Sequence, residues 1–375
     1  MRTPLCDLLG VRYPIIQSGM GRIAGPELVA EVSSAGGLGI LAGLGLPGDE
    51  LRRQIGRVRE LTDRPFGVNL WLHEQLRPPV VSDQVPERTI HEVQAALNAF
   101  RERLRLPPTL APPPPFPDAI ADAFEVIVDE RVPVWSIGLG NPGPEMVHRC
   151  HRAGILVMAM IATVEDARTV AAAGVDIIVA QGGEAGGHRS TWRKGASPAA
   201  ATVGTLVLVP QVVDAVRQPV VAAGGIADGR GVIAALALGA QAALLGTRFV
   251  ATRESTAPPM YKSAIQAAGS DDTRVTDAFT GLYARALRNT FCDEYEASGT
   301  PVLPSLLQAR AAEDIFLAAA NTGEREYFPL LAGQSAGLIG PQEGSEPSGL
   351  PGARDVLRAL VEEAEAALAR ISRPA

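Results

Sequence analysis

Two glycine-ended apolar runs carry the strongest chemical signal in the chain. Val220-Val-Ala-Ala-Gly-Gly-Ile226 and Ala243-Leu-Leu-Gly-Thr-Arg-Phe249 lie about one helix apart. Glycine has no Cβ, so its N–H can approach an anion closely. If these are the seventh and eighth strands of a barrel, the turns after them form a phosphate corner. The glycines would let backbone N–H groups approach the phosphate, with a short helix from Thr247 adding its positive end. The alternative is plain turn glycines. A second signal is His188, which follows Gly186 and Gly187 in the glycine-rich stretch 181–204. An imidazole there could remove a carbon-bound proton or hold an anion. The alternative is a histidine that caps the loop or contacts a phosphate.

Other residues carry weaker signals. His73 could reach the mouth of the same site or be a loop residue. His148, Cys150 and His151 form HxCH on a predicted helix, but no third ligand cluster stands nearby, so no metal is expected. Gly138-Leu-Gly-Asn-Pro-Gly143 matches GxGxxG. A dinucleotide site would need an acid at the end of the next strand, and Ala162-Thr163 stands there, so this reads as an ordinary βα turn. In the tail, Gln334 and Ser335 sit between glycines and could contact substrate or simply form a turn. Lys262, beside Tyr261, could neutralise an anion or lie on the surface. Trp192, Arg189, Arg193 and Lys194 could cover the site or face solvent.

The elements that must position these residues repeat. A short apolar run, a Gly or Pro turn and an Ala/Leu/Arg/Glu helix recur along the chain. Continuous rather than alternating apolar runs indicate strands buried on both faces, hence a parallel sheet. Eight are readable: Pro14–Gln17, Leu38–Leu41, Phe66–Leu70, Val134–Ile137, Leu156–Ile161, Ile177–Ala180, Val220–Ala223 and Ala242–Gly246. Eight strands with helical crossovers predict an α/β fold, a (β/α)8 TIM barrel over 1–255. A long insertion after strand three, about 71–118, includes the Pro-rich piece Pro107–Pro117, expected to run extended over the surface. Residues 256–375 read as a helical C-terminal extension packed on the barrel as a lid.

Composition narrows the class. Hydrophobic residues make up 46% and charged residues 20%, as in a globular protein with a large core. The net charge of −7 and the lack of a basic stretch argue against a nucleic-acid partner. The three cysteines are far apart, which fits a reducing, cytoplasmic setting. The N-terminus has no apolar signal region, and no run of apolar residues is long enough to span a membrane. No pattern encodes the oligomeric state.

Taken in order, Tyr13-Pro-Ile-Ile-Gln-Ser-Gly-Met-Gly21, Ser34-Ala-Gly-Gly-Leu-Gly39, Gly67-Val-Asn-Leu70, Val179-Ala-Gln-Gly-Gly-Glu-Ala-Gly-Gly-His188, Ala223-Gly-Gly-Ile-Ala227, Gly246-Thr-Arg-Phe249 and Ala332-Gly-Gln-Ser-Ala-Gly337 resemble the successive signatures of the nitronate monooxygenases, formerly 2-nitropropane dioxygenases. The resemblance implies bound FMN. By position, it implies that Asn69 and Gln181 hydrogen-bond the isoalloxazine or ribityl chain. Gly186, Gly225 and Leu244–Thr247, with Gly187 and Gly224 beside them, would hold the phosphate. Gly19 and Met20 would lie against the ring, and His188 would act beside it. Many members carry Ala-Pro before this methionine; Ser18-Gly19 here is a departure expected to loosen the turn.

The implied reaction is oxidation by O2 of an alkyl nitronate, or of a nitroalkane once His188 has taken its α-proton, to a carbonyl compound and nitrite. Fold and cofactor serve several activities. An NAD(P)H-dependent FMN reductase of quinones or enoyl thioesters remains open, as does a non-redox FMN-binding protein.

Overall fold

Each of the eight apolar runs forms a strand, and the eight close into a barrel. The computed structural model describes residues 1–191, 202–340 and 349–372. The barrel strands are β1 (Ile15–Gln17), β2 (Leu38–Ala42), β3 (Phe66–Trp71), β4 (Val134–Leu139), β5 (Leu156–Ile161) and β6 (Ile177–Gln181). After a two-residue strand outside the barrel, β7 (Gly187–His188), come β8 (Val220–Ala223) and β9 (Ala242–Leu245). All neighbours are parallel, and β9 closes on β1 with Gln17 opposite Leu245.

The continuous apolar character has a direct cause. Successive strand residues face opposite sides of the sheet. Ile16, Ile40, Met158, Val179, Val221 and Leu244 fill the barrel interior, together with Leu5, Cys6 and Leu9 of the helix Pro4–Leu9. Their neighbours Ile15, Leu41, Val157, Ile178, Val220 and Leu245 pack outward against the helices. Thr3 donates to the carbonyl of Gln241, so the N-terminal helix plugs the amino end of the barrel. The carboxyl end stays free for a site.

Seven barrel helices follow their strands: Pro26–Ser34, Gly48–Leu61, Ile120–Asp129, Gly143–Arg152, Val164–Ala172, Thr205–Ala215 and Gly229–Ala237. The eighth is the last helix of the chain, Ala353–Ile371. Its buried stripe of Val356, Leu357, Leu360, Val361, Ala364 and Ala367 has helical spacing. It packs between the first and seventh helices, where Arg354 pairs with Glu31 at 2.9 Å and Glu363 accepts from the Gly229 N–H at 2.8 Å. The end of the chain therefore completes the helical ring and does not lie on the barrel face.

The insertion and the rest of the tail share one core. Ile90, Val93, Leu97 and Phe100 on the helix Glu87–Arg103 pack against Phe279, Phe291, Tyr295, Leu303, Leu307 and Phe316. Buried Arg101 ties the two together, donating to the Asp314 carboxylate at 2.8 Å and to the Ala311 carbonyl at 2.7 Å. The Pro-rich piece runs extended back along that helix, held where Asn98 exchanges hydrogen bonds with Thr109. This lobe is not purely helical. An antiparallel pair, β10 (Thr273–Thr276) and β11 (Ala284–Leu287), takes β7 as a third strand, with His188 opposite Ala284. The sheet joins the lobe to the loop after β6.

Candidate active site

A cavity opens at the carboxyl ends of the barrel strands, the usual location for a barrel site. Its wall includes Gly19, Met20, Asn69, Gln181, Gly186, Gly187, His188, Gly224, Gly225, Leu244, Leu245, Gly246, Thr247 and Ser335. The fold thus gathers residues from β1, β3, β6, β8, β9 and the tail around one space. Gln334 does not line it; its N–H donates instead to the Glu184 carbonyl at 3.0 Å.

The glycines have steric work. A Cβ on Gly19 would fall 2.4 Å from the Asn69 Cβ. Gly19 lets the turn after β1 press against β3, a close approach that a side chain at this position would block. A Cβ on Gly186 would meet the Gly333 nitrogen at 2.5 Å, and one on Gly224 would meet the Ala185 nitrogen at 3.0 Å. Gly224 and Gly225 also adopt φ of +107° and +71°, which favours glycine. Only bare backbone fits at this corner, which leaves its N–H groups open to close approach.

The polar residues are held from behind. The Asn69 amide donates to the Ser136 hydroxyl at 3.2 Å. Gln181 donates to the His188 carbonyl at 2.9 Å and accepts from the Ser190 N–H at 2.9 Å, so it fixes the backbone on both sides of His188–Arg189. Buried Arg189 faces away from its predicted cover role. It donates to the carbonyls of Gly182 at 2.9 Å and Ala185 at 2.8 Å, bracing the glycine loop internally. Burial, with Arg285 alongside, lowers the proton affinity of this guanidinium; an arginine stays charged even so. Trp192, Arg193 and Lys194 lie outside the described residues.

The His188 ring is half-buried and lines the cavity. The Trp71 ring meets it edge-on with centroids 4.6 Å apart. Its Nε2 lies 2.9 Å from the Thr280 hydroxyl. Burial above all, then Arg189 and His73, pulls the imidazole down to about 3. The ring is therefore neutral near pH 7, with a lone pair available to accept a proton or a hydrogen bond.

Several weaker signals resolve. His151 pairs with Asp176 at 3.0 Å, Cys150 is buried and His148 is exposed, and among the described residues no group of side chains is arranged to hold a metal. Gly138–Gly143 is the fourth βα turn of the barrel. Lys262 is buried, and its ammonium caps the carbonyls of Thr252 and Ser255. His73 is buried, and its Nδ1 accepts from the Gln75 N–H.

Sequence reasoning missed Trp71, Tyr261 and Thr280. Trp71 was findable, since it stands two residues after Asn69 on β3 and so points to the same face. Thr280 had no local signal.

The fold and the cavity define a (β/α)8 barrel with a glycine-built corner and a neutral histidine lining one cavity at the strand ends. The family description nitronate monooxygenase matches residues 2–343, and the chain belongs to that family. Probable nitronate monooxygenases of Staphylococcus saprophyticus and Staphylococcus haemolyticus are 36% and 37% identical over 341 residues, 90% of this chain and 93% and 92% of theirs. The structure of a nitroalkane oxidase from Streptomyces ansochromogenes superposes with a TM-score of 0.86 at 35% identity, covering 98% of this chain and 99% of the other. FabK from Thermotoga maritima is similar at a TM-score of 0.73 and 33% identity, covering 99% and 98%. The chain is an FMN-dependent oxidoreductase of this family.

Proposed function

We propose that the protein oxidises alkyl nitronates, and nitroalkanes after deprotonation, with O2 as co-substrate, to carbonyl compounds and nitrite. The observation that carries this reading is that His188 lines the same cavity as both glycine turns of the anion cradle. The cradle suits the FMN phosphate, with Gly186, Gly224, Gly225 and Gly246–Thr247 as its backbone. Gly19, Met20, Asn69 and Gln181 are positioned to hold the ring and ribityl chain. Bound FMN supplies the electron acceptance and the oxygen chemistry.

The protein's own part is to bind, orient and move a proton. The His188 lone pair accepts the α-proton of a nitroalkane, and the imidazolium formed stays beside the nitronate. That anion favours the protonated ring, offsetting the low proton affinity of the empty site. Ser335, Trp71 and Tyr261 shape the remaining wall. We infer a cytoplasmic setting, in keeping with three free cysteines.

A second reading is NAD(P)H-dependent reduction of a quinone or enoyl thioester on the same flavin, since one fold and cofactor can serve several activities. The test is direct. FMN-loaded protein given ethyl nitronate in air should consume oxygen and release nitrite and acetaldehyde in step. Absence of nitrite, with NADPH oxidised in the presence of an enoyl thioester, would shift the assignment to the reductase.

A further inference from the structure

The hydrogen bond between His188 and Thr280 links the cavity to a segment far away in sequence. Thr280 is buried and its backbone is anchored at both ends. Its N–H donates to the Asp277 carbonyl at 3.2 Å, and its carbonyl accepts from the Leu306 N–H at 2.7 Å. The hydroxyl touches three groups: His188 Nε2 at 2.9 Å, the Leu282 carbonyl at 3.2 Å and the Leu282 N–H at 3.4 Å.

A hydroxyl has one proton to give and two lone pairs to receive. The Leu282 carbonyl can only accept, and the Leu282 N–H can only donate. All three contacts are satisfied together only if Thr280 gives its proton to the carbonyl and accepts from both the Leu282 N–H and His188 Nε2. His188 Nε2 must then carry the hydrogen. The backbone around the ring is equally fixed, with His188 opposite Ala284 on β11 and the Arg189 N–H donating to the Tyr283 carbonyl at 2.8 Å.

We propose that Thr280 is a positioning residue that holds His188 in the Nε2–H tautomer, leaving Nδ1 as the atom that takes the substrate proton. The inference rests on the proposed nitroalkane chemistry for its substrate, and on the hydroxyl geometry alone for the tautomer. In the step, the Nδ1 lone pair forms an N–H bond as the α C–H bond breaks. The released electron pair moves into the nitro group, giving the nitronate anion and an imidazolium. Thr280 accepts from Nε2–H before and after, so nothing in the lobe need rearrange. A Thr280 hydroxyl aimed the other way would leave Nδ1 protonated and the ring unable to act as a base there.

Nitrogen NMR of histidine-labelled, FMN-loaded protein reads the tautomer directly, with the His188 signals assigned by their loss in H188Q. Wild type and T280S should show a protonated Nε2 and a bare Nδ1. T280V, which keeps the shape and loses the hydroxyl, should show a mixture or the opposite tautomer. T280V should also slow turnover of neutral nitroethane at least about tenfold more than it slows oxidation of preformed ethyl nitronate, and T280S should restore the rate. The proposal is overturned if T280V keeps the wild-type tautomer, or if it slows both substrates alike. If wild type oxidises neither substrate while the tautomer still follows the hydroxyl, the nitroalkane chemistry fails and the positioning stands.

Discussion

Gly186 and Gly333 close on each other so tightly that neither could carry a side chain. A Cβ on Gly186 would sit 2.5 Å from the Gly333 nitrogen, and one on Gly333 would sit 2.9 Å from the Gly186 nitrogen and 2.7 Å from the Glu184 carbonyl oxygen. The contact seals the glycine loop of the barrel against the tail, and the Gly333 N–H also donates to the Thr247 hydroxyl at 3.0 Å. Gly333→Ala must push the loop or the tail out of place. We expect FMN to bind at least about tenfold more weakly, a loss of about 1.4 kcal/mol, with the barrel still folded. Titration of apoprotein with FMN, followed by flavin fluorescence, checks this; unchanged affinity would show that the seal does not shape the cofactor site.

Arg189 works on the same loop from beneath. Replacing it with Met keeps most of the volume and leaves the Gly182 and Ala185 carbonyls without their donor. Buried acceptors stripped of a charged partner cost about 1–3 kcal/mol. Thermal denaturation should show R189M melting lower than wild type, with FMN retained poorly on gel filtration. An equal melting temperature and full FMN content would mean that the brace is dispensable.

The state of His188 makes a pH prediction. Its folded value near 3 lies below the ordinary 6.5, so the neutral base persists through the mildly acidic range. The free enzyme's kcat/KM for a neutral nitroalkane should therefore show no acid limb with an apparent pKa of about 6 to 7. The same shift bears on stability. Between its unfolded and folded values, the unfolded chain binds the extra proton, so this group's contribution is present above about 6.5 and is lost as pH falls toward 3. Apoprotein melting temperature should fall across that window, and H188Q should fall less. An acid limb near the ordinary histidine value would show that His188 is not held neutral by its burial.

Much of the barrel was legible because a parallel strand is buried on both faces and its sequence carries no alternation to obscure it. The glycine turns were legible for a related reason, since close backbone approach admits little else. The ring's eighth helix was not, because nothing local connects Ala353–Ile371 with β9 across the intervening lobe. The shared core of Phe100 and Phe291 was hidden in the same way, each lying on an ordinary amphipathic helix far from the other. Lys262 looked like a free cation and proved to be a buried cap, which depends on the carbonyls that the chain turns toward it.

The placement of that last helix has a plain consequence. A chain ended at Leu350 would uncover the apolar faces of the first and seventh barrel helices. We expect it to be insoluble or to lose cooperative unfolding by circular dichroism. A truncated chain that melts cooperatively near the wild-type temperature would instead mark the helix as an appendage.

In the proposed reaction the bound flavin takes electrons from a nitronate and not from a nicotinamide. The most direct measurement mixes FMN-loaded protein, without oxygen, with propionate 3-nitronate and separately with NADH and NADPH, following the visible flavin absorbance. Prompt bleaching is expected with the nitronate, and little or none with either nicotinamide. Rapid bleaching with one nicotinamide and none with the nitronate would contradict it.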